Sequence, residues 1–157
     1  MKKILVALIA ALLLCPAAKG ILITDEALTH LGKPYVYATA GPNTFDCSGF
    51  TCYCYKVVEE VELKRSARDQ GYDDSYEKIE SAESLIPGDL VFFNTNQSDL
   101  DKSDHAGMYL GNGEFIHCSS SKGKVVISSL LEGFYNEHFS WGRRVITRTT
   151  KTYPHRR

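Results

Sequence analysis

The stretch Ala106-Gly-Met-Tyr-Leu110, Gly111-Asn-Gly113, Glu114-Phe-Ile-His-Cys118 constrains this chain more than any other. Two short apolar runs around a Gly-Asn-Gly punctuation read as an antiparallel β-hairpin. A histidine flanks each run: His105 just before the first and His117 near the end of the second. Side chains alternate between faces along a strand, so loop length decides whether the two imidazoles share a side. A three-residue loop over Gly111–Gly113 pairs Leu110 with Glu114 and Gly107 with His117. His105 then lies diagonal to His117 on the same face. A two-residue loop places the rings on opposite faces.

Upstream, Asp46 is a natural helix N-cap, and Cys47 to roughly Lys64 reads as a helix with Phe50, Cys54, Val57, Val58 and Val61 on one face. Cys47 falls in its first turn, where unpaired N–H groups and the macrodipole favour an anion, so a lowered thiol pKa is expected. An isolated cysteine is more often a small buried hydrophobe. The paired histidines change that reading: His117 orienting His105, and His105 activating Cys47, is the nucleophile–base–orienter arrangement of acyl-transfer enzymes. His30, His138 and His155 have no such setting and read as ordinary surface or boundary residues.

The remaining elements follow from periodicity and punctuation. Ile21–Leu31 is a short amphipathic helix stopped by Gly32 and Pro34, and Tyr35–Phe45 is extended or looping. Ser66–Ser84 is a polar loop with one helical turn. Pro87-Gly88 turns the chain into an apolar strand, Asp89–Phe93, and Asn94–Asp104 is a second polar loop. Val125–Ile127 and Gly142–Thr147 complete the sheet. Helices precede strands, which predicts an α+β fold, and 157 residues suffice for one domain.

The chain ends are compositionally distinct. Lys2 and Lys3, the uncharged run Ile4–Leu14, then small residues to Gly20 fit a secretory signal peptide over residues 1–20, cleaved after Ala18 or Gly20. The run is too short to span a bilayer, at about half of a ~30 Å hydrocarbon core. Lipid attachment at Cys15 ranks second, because Leu14 and Pro16 suit that processing poorly. A secreted, periplasmic or wall-associated protein is expected, residues 21–157 forming one domain. The formal charge of −1 gives no reason to expect nucleic acid as partner. From Arg143 on there are six basic residues and no acidic one. The tail, about 147–157, reads first as a solvated terminus and second as a contact for an anionic wall polymer or membrane surface.

Four blocks carry a resemblance: Leu31-Gly-Lys-Pro-Tyr-Val-Tyr37, Phe45-Asp-Cys-Ser-Gly-Phe50, Ser84-Leu-Ile-Pro-Gly-Asp-Leu-Val-Phe-Phe93 and His105-Ala-Gly-Met-Tyr-Leu-Gly-Asn-Gly-Glu-Phe-Ile-His117. In this order they resemble the signature of the NlpC/p60 family of papain-like cell-wall endopeptidases, over about Ile21–Val145. The resemblance implies a papain-like α+β fold, N-terminal helices packed on a central antiparallel sheet. It implies Cys47 as nucleophile, His105 as general base and His117 as third polar residue. Tyr35 matches a tyrosine near the oxyanion site, and Asp46 and Ser48 match positions that in some members hold the substrate's free amine. The implied activity is hydrolysis of peptidoglycan stem peptides at the γ-D-glutamyl–diamino acid bond. Ala38-Thr39, where the family often has Gly-Gly, and Cys118, where it often has a small residue, depart from the pattern.

Alternatives are an N-acetylmuramoyl-L-alanine amidase or acyltransferase on the same scaffold, or a non-catalytic wall-binding module. Cys47, Cys52, Cys54 and Cys118 remain after signal removal. With one assigned to catalysis, an odd number is left. Buried free thiols are expected, with a Cys52–Cys118 or Cys54–Cys118 bridge as the other option. A zinc site from Cys47, His105, His117 and Cys118 is set aside, because short ligand pairs of the usual spacing are absent. No metal or cofactor is expected, and the chain reads as a monomer. Arg65-Ser-Ala-Arg-Asp-Gln70 reads as a solvated charged loop beside the cleft.

Overall fold

In the computed structural model, the described residues are 16–97 and 103–145. The predicted leader core 4–14, Cys15, and the basic tail 147–157 with His155 lie outside them. The strands are β1 (Glu77–Ile79), β2 (Leu90–Phe93), β3 (His105–Gly111), β4 (Glu114–Ser119), β5 (Lys124–Ser129) and β6 (Phe139–Arg144). They form one sheet in the order β1-β6-β2-β3-β4-β5, and every pairing is antiparallel. The helices are α1 (Pro16–Leu28), α2 (Cys47–Glu59), α3 (Ala67–Gly71) and α4 (Phe134–His138). The α+β expectation holds.

Strand β2 is Leu-Val-Phe-Phe, buried at every position, because both faces of the sheet are covered. On one face Leu90 and Phe92 join Ala106, Met108 and Ile116 against Ile23 and Ala27 of α1 and Phe50, Cys54 and Tyr55 of α2. On the other, Val91 and Phe93 pack with Tyr109, Phe115 and Leu130. Phe45, Phe50, Phe92, Phe93 and Phe115 are fully enclosed, each side chain stabilising the fold by about 1.5–3 kcal/mol through removal from water.

Asp46 starts α2 as expected: its backbone is extended and its carboxylate accepts the Gly49 N–H at 2.7 Å. Gly49 is required by close approach. A Cβ there would sit 2.1 Å from the Thr39 carbonyl oxygen and 3.0 Å from the Ala40 Cα. The helix stops at Glu59 rather than near Lys64, because Glu60 turns left-handed (φ 55°) and donates its N–H back to the Lys56 carbonyl. The chain then folds Val61 and Leu63 back onto the core, whereas Val57 is left 51% exposed. Helix α1 ends at Leu28, short of the expected Leu31. The Thr29 hydroxyl there donates to the Glu26 carbonyl at 2.7 Å, and turns carry the chain on to Lys33.

The β3–β4 hairpin corrects the loop expectation while keeping its register. Gly111 pairs with Glu114, so the connection is the two-residue turn Asn112-Gly113, both with positive φ. Between Tyr109 and Gly111 the ladder shifts by one residue, leaving Leu110 as the bulge. Below it Tyr109 pairs with Phe115 and Met108 with Ile116, the register a three-residue loop would give. Continued, it sets Gly107 opposite His117.

Two elements were not anticipated. Strand β1 has one buried residue, Ile79, between charged neighbours. Helix α4 is five residues long, after Gly133. Strand β6 starts at Phe139, three residues before the expected Gly142.

Candidate active site

Cys47 is the first residue of α2, half-buried at the helix head. The backbone N–H groups of Ala106, of Ser48 and of Cys47 itself favour the thiolate, but burial opposes it more strongly and the Asp46 carboxylate adds to that opposition. The thiol is therefore held above its ordinary range, which reverses the expectation drawn from the helix terminus. The exclusion of water outweighs the macrodipole. The influence of the Ala106 amide sets the sulfur near the start of the strand that begins at His105.

His105 Nε2 lies 2.7 Å from His117 Nδ1, and His117 Nε2 lies 3.0 Å from Ser128 Oγ. The imidazoles therefore meet on one face, with Nδ1 of His105 as the ring nitrogen that His117 does not use. Burial lowers the His105 pKa to about 4 despite the nearby Asp104 carboxylate. Burial and the neighbouring His105 lower that of His117 to about 3. Both rings are neutral near pH 7, so the chain of contacts is one of neutral donors and acceptors. Ser128 escaped the sequence reading, which ended its strand at Ile127; the strand continues to Ser129, and Ser128 faces Phe115.

The Asp46 carboxylate does more than cap. Arg65 Nη1 lies 3.0 Å from its Oδ1, and Nη2 donates to its Oδ2. Arg65 Nη1 also donates to Ser48 Oγ at 3.1 Å, and the Ser48 hydroxyl donates to Asp46. Arg65 is thus a clasp across the helix head rather than part of a solvated loop. Asp46 and Ser48 are nearly inaccessible, whereas the Arg65 side chain is 47% exposed. An amine would meet Asp46 and Ser48 only beside Arg65 or in exchange with it. Behind them, Gln70 donates to the Ser48 and Lys64 carbonyls at 3.1 and 2.8 Å and accepts from the Thr51 hydroxyl.

Cys47 opens into a cleft of about 460 Å³ lined by Tyr35, Tyr37, Arg65, Arg68 and Asp104 among others, a volume suited to a short peptide. Tyr35 is half-buried, and burial together with Cys47, Asp46 and Cys118 pushes its phenol pKa upward, so it stays a hydrogen-bond donor. The other cysteines among the described residues, Cys52, Cys54 and Cys118, are free thiols. Cys118 contacts the Phe45 carbonyl at 3.2 Å, and burial lifts its pKa to about 12. His30 is buried, not a boundary residue: its Nε2 meets Glu26 Oε1 at 2.9 Å among the rings of Phe45, Phe50 and Tyr53. Among the described residues no three His, Cys, Asp or Glu side chains gather to hold a metal ion.

Comparison with known proteins gives a consistent result. The sequence profile of the NlpC/P60 family matches residues 32–144. The chain is 36% identical over 127 residues to "Murein DD-endopeptidase MepH" of Escherichia coli, covering 80% of this chain and 46% of that protein. It is 36% identical over 131 residues to "Gamma-DL-glutamyl hydrolase" of Bacillus subtilis, covering 82% of this chain and 30% of the relative. The chain thus spans about half or less of the length of these curated relatives. Among solved structures, NlpC2 from Trichomonas vaginalis superposes with a TM-score of 0.70 at 34% identity, over 80% of this chain and 46% of that one. From the profile match over most of its length and the shared fold, the chain belongs to the NlpC/P60 family.

Proposed function

We propose that this protein is a secreted cysteine endopeptidase that hydrolyses peptidoglycan stem peptides, with Cys47, His105 and His117 as its catalytic set. The observation that carries this reading is the 2.7 Å contact between the imidazoles of β3 and β4, next to the Ala106 amide whose influence favours the Cys47 thiolate. Because the resting thiol is protonated, attack needs a base. His105 Nδ1 takes the thiol proton as sulfur bonds to the scissile carbonyl carbon. This fixes the tautomers. His105 Nε2–H donates to His117 Nδ1, and His117 Nε2–H donates to Ser128, so each ring steadies the next while positive charge develops on His105. The Tyr35 hydroxyl and the N–H groups at the head of α2 receive the developing oxyanion. His105 then returns its proton to the leaving amine, giving a thioester. Water, deprotonated by the same ring, attacks the thioester and releases the acid and the thiol.

The scissile bond we favour is the γ-D-glutamyl–diamino acid linkage; the name of the Bacillus subtilis relative supports its γ-glutamyl side. The Escherichia coli relative, named a DD-endopeptidase, favours a D–D cross-link as the second reading. Mass spectrometry of defined muropeptides separates them, since each cut leaves a different new amine. Cleavage of the N-acetylmuramoyl-L-alanine bond would instead expose the alanine amine. Cys47→Ala is expected to abolish fragment release from purified wall with the fold intact. Fragment release retained in that variant overturns the proposal.

A further inference from the structure

Helix α4 had no role in the sequence reading, yet it presents a ring to the imidazole pair. The segment is pinned at both ends. Leu130 N–H donates to the Gly113 carbonyl at 2.7 Å, the Asn136 side chain to the Leu130 carbonyl at 2.7 Å, and Asn94 N–H to the His138 carbonyl at 3.0 Å. From it Tyr135 meets His117 edge-on, with centroids 4.9 Å apart at 73°, and lies closer to parallel with His105 at 6.0 Å and 27°. Phe115 stacks on His117 at 4.7 Å and 26°, and Phe93 lies 6.1 Å from His105. Tyr135 contacts both phenylalanines at 5.0 Å, closing the group. The His105–His117 hydrogen bond thus runs inside aromatic walls contributed by β2, β4 and α4.

We propose that Tyr135 is a positioning residue, whose ring roofs the His105–His117 hydrogen bond and keeps water from both imidazoles. The inference rests on His105 being the base. The wall rather than the hydroxyl is what acts, since it is the ring whose face and edge meet the two imidazoles. The titratable groups that bear on His105 are Asp104 before it in the chain, His117 from β4 and Tyr135 itself, and Cys47 from α2 bears in turn on Tyr135. The other titratable residues of α4, Glu137 and His138, line a separate hollow with Asn94 and Trp141. Burial is the main cause that holds both imidazole pKa values low, so opening the roof moves them toward the ordinary histidine range.

Two measurements test this. Imidazole protons are titrated by NMR in Cys47→Ala with and without Tyr135→Ala, and Cys47 alkylation, read by peptide mass spectrometry, is followed against pH with the thiol present. Tyr135→Ala is expected to raise the imidazole midpoints by about one pH unit or more. The acid limb of alkylation moves with them, making the reaction roughly tenfold slower just below the wild-type limb. Tyr135→Phe leaves both midpoints in place. A simple loss of stability would weaken the folded-state imidazole resonances without moving their midpoints, so the NMR titration separates it from opening of the roof. If Tyr135→Ala does not fold, Tyr135→Leu, which covers less, is expected to shift in the same direction. Unmoved NMR midpoints in the folded variant overturn the role of Tyr135 and leave the catalytic set untouched. Midpoints that move without the alkylation limb following support the roof and overturn His105 as base.

Discussion

Gly49→Ala offers a test in which local propensity and tertiary structure predict opposite signs. Within a helix the exchange of Gly for Ala stabilises by about 1 kcal/mol. At Gly49 the new Cβ would lie 2.1 Å from the Thr39 carbonyl oxygen and 2.9 Å from Asp46 Oδ1. Ordinary contact begins near 3.4 Å, so the oxygen must retreat by roughly 1.3 Å. It belongs to backbone and cannot swing aside. That carbonyl accepts the Asp46 N–H at 2.9 Å and an Arg65 Nη2–H at 3.4 Å. Overpacking costs about 1–3 kcal/mol and the lost backbone hydrogen bond about 1 kcal/mol. The propensity gain offsets only part, leaving a destabilisation of about 2 kcal/mol. For a domain of this size that is a fall of roughly 6 °C in Tm. Urea unfolding of reduced wild-type and Gly49→Ala protein measures it, and Cys47 alkylation reports whether the helix head has moved. A variant as stable as wild type, or more so, refutes the reasoning.

Three further outcomes are expected at the site. Asp46→Asn keeps a capping oxygen but removes the carboxylate that opposes ionisation of Cys47 and closes the Arg65 clasp, so the alkylation profile of Cys47 is expected to move to lower pH with some loss of stability from the broken pair. Asp46→Ala also loses the cap and unfolds about 1 kcal/mol more easily, seen as a lower urea midpoint. Stability should also fall as the solution is acidified from pH 6.5 toward 4. Both imidazoles have folded-state pKa values below the unfolded value of 6.5, so the unfolded chain takes up protons first and the stabilisation present above pH 6.5 is lost through this window. The slope from each ring approaches about 1.4 kcal/mol per pH unit, and replacing His117 by Asn should remove one ring's share. An unchanged slope in His117→Asn contradicts the buried neutral pair.

The helix head was legible in the sequence because its signals are local: a capping aspartate, a cysteine beside it, and an apolar stripe behind. The meeting of the imidazoles was legible because alternation along strands converts spacing into geometry. What escaped depends on contacts that no window of sequence contains. Arg65 looked like a solvated charge, and its partner Asp46 lies 19 positions earlier. Tyr135 sits in a five-residue helix too short for periodicity, and its meaning comes from rings on two other strands. Strand β1 pairs at the sheet edge with a single apolar residue turned inward. The direction of the Cys47 shift was misjudged because a helix terminus is visible in sequence and burial is not.

The bulge at Leu110 makes the hairpin a matter of parity. Removing one residue from the tip, or straightening the bulge, would rotate His117 to the side of the sheet that carries α2 and strand His105 without its neighbour. Adding or removing two residues leaves both rings where they are. The length of this tip is therefore free to drift only in even steps, and an odd change survives only when a second bulge appears to correct the count.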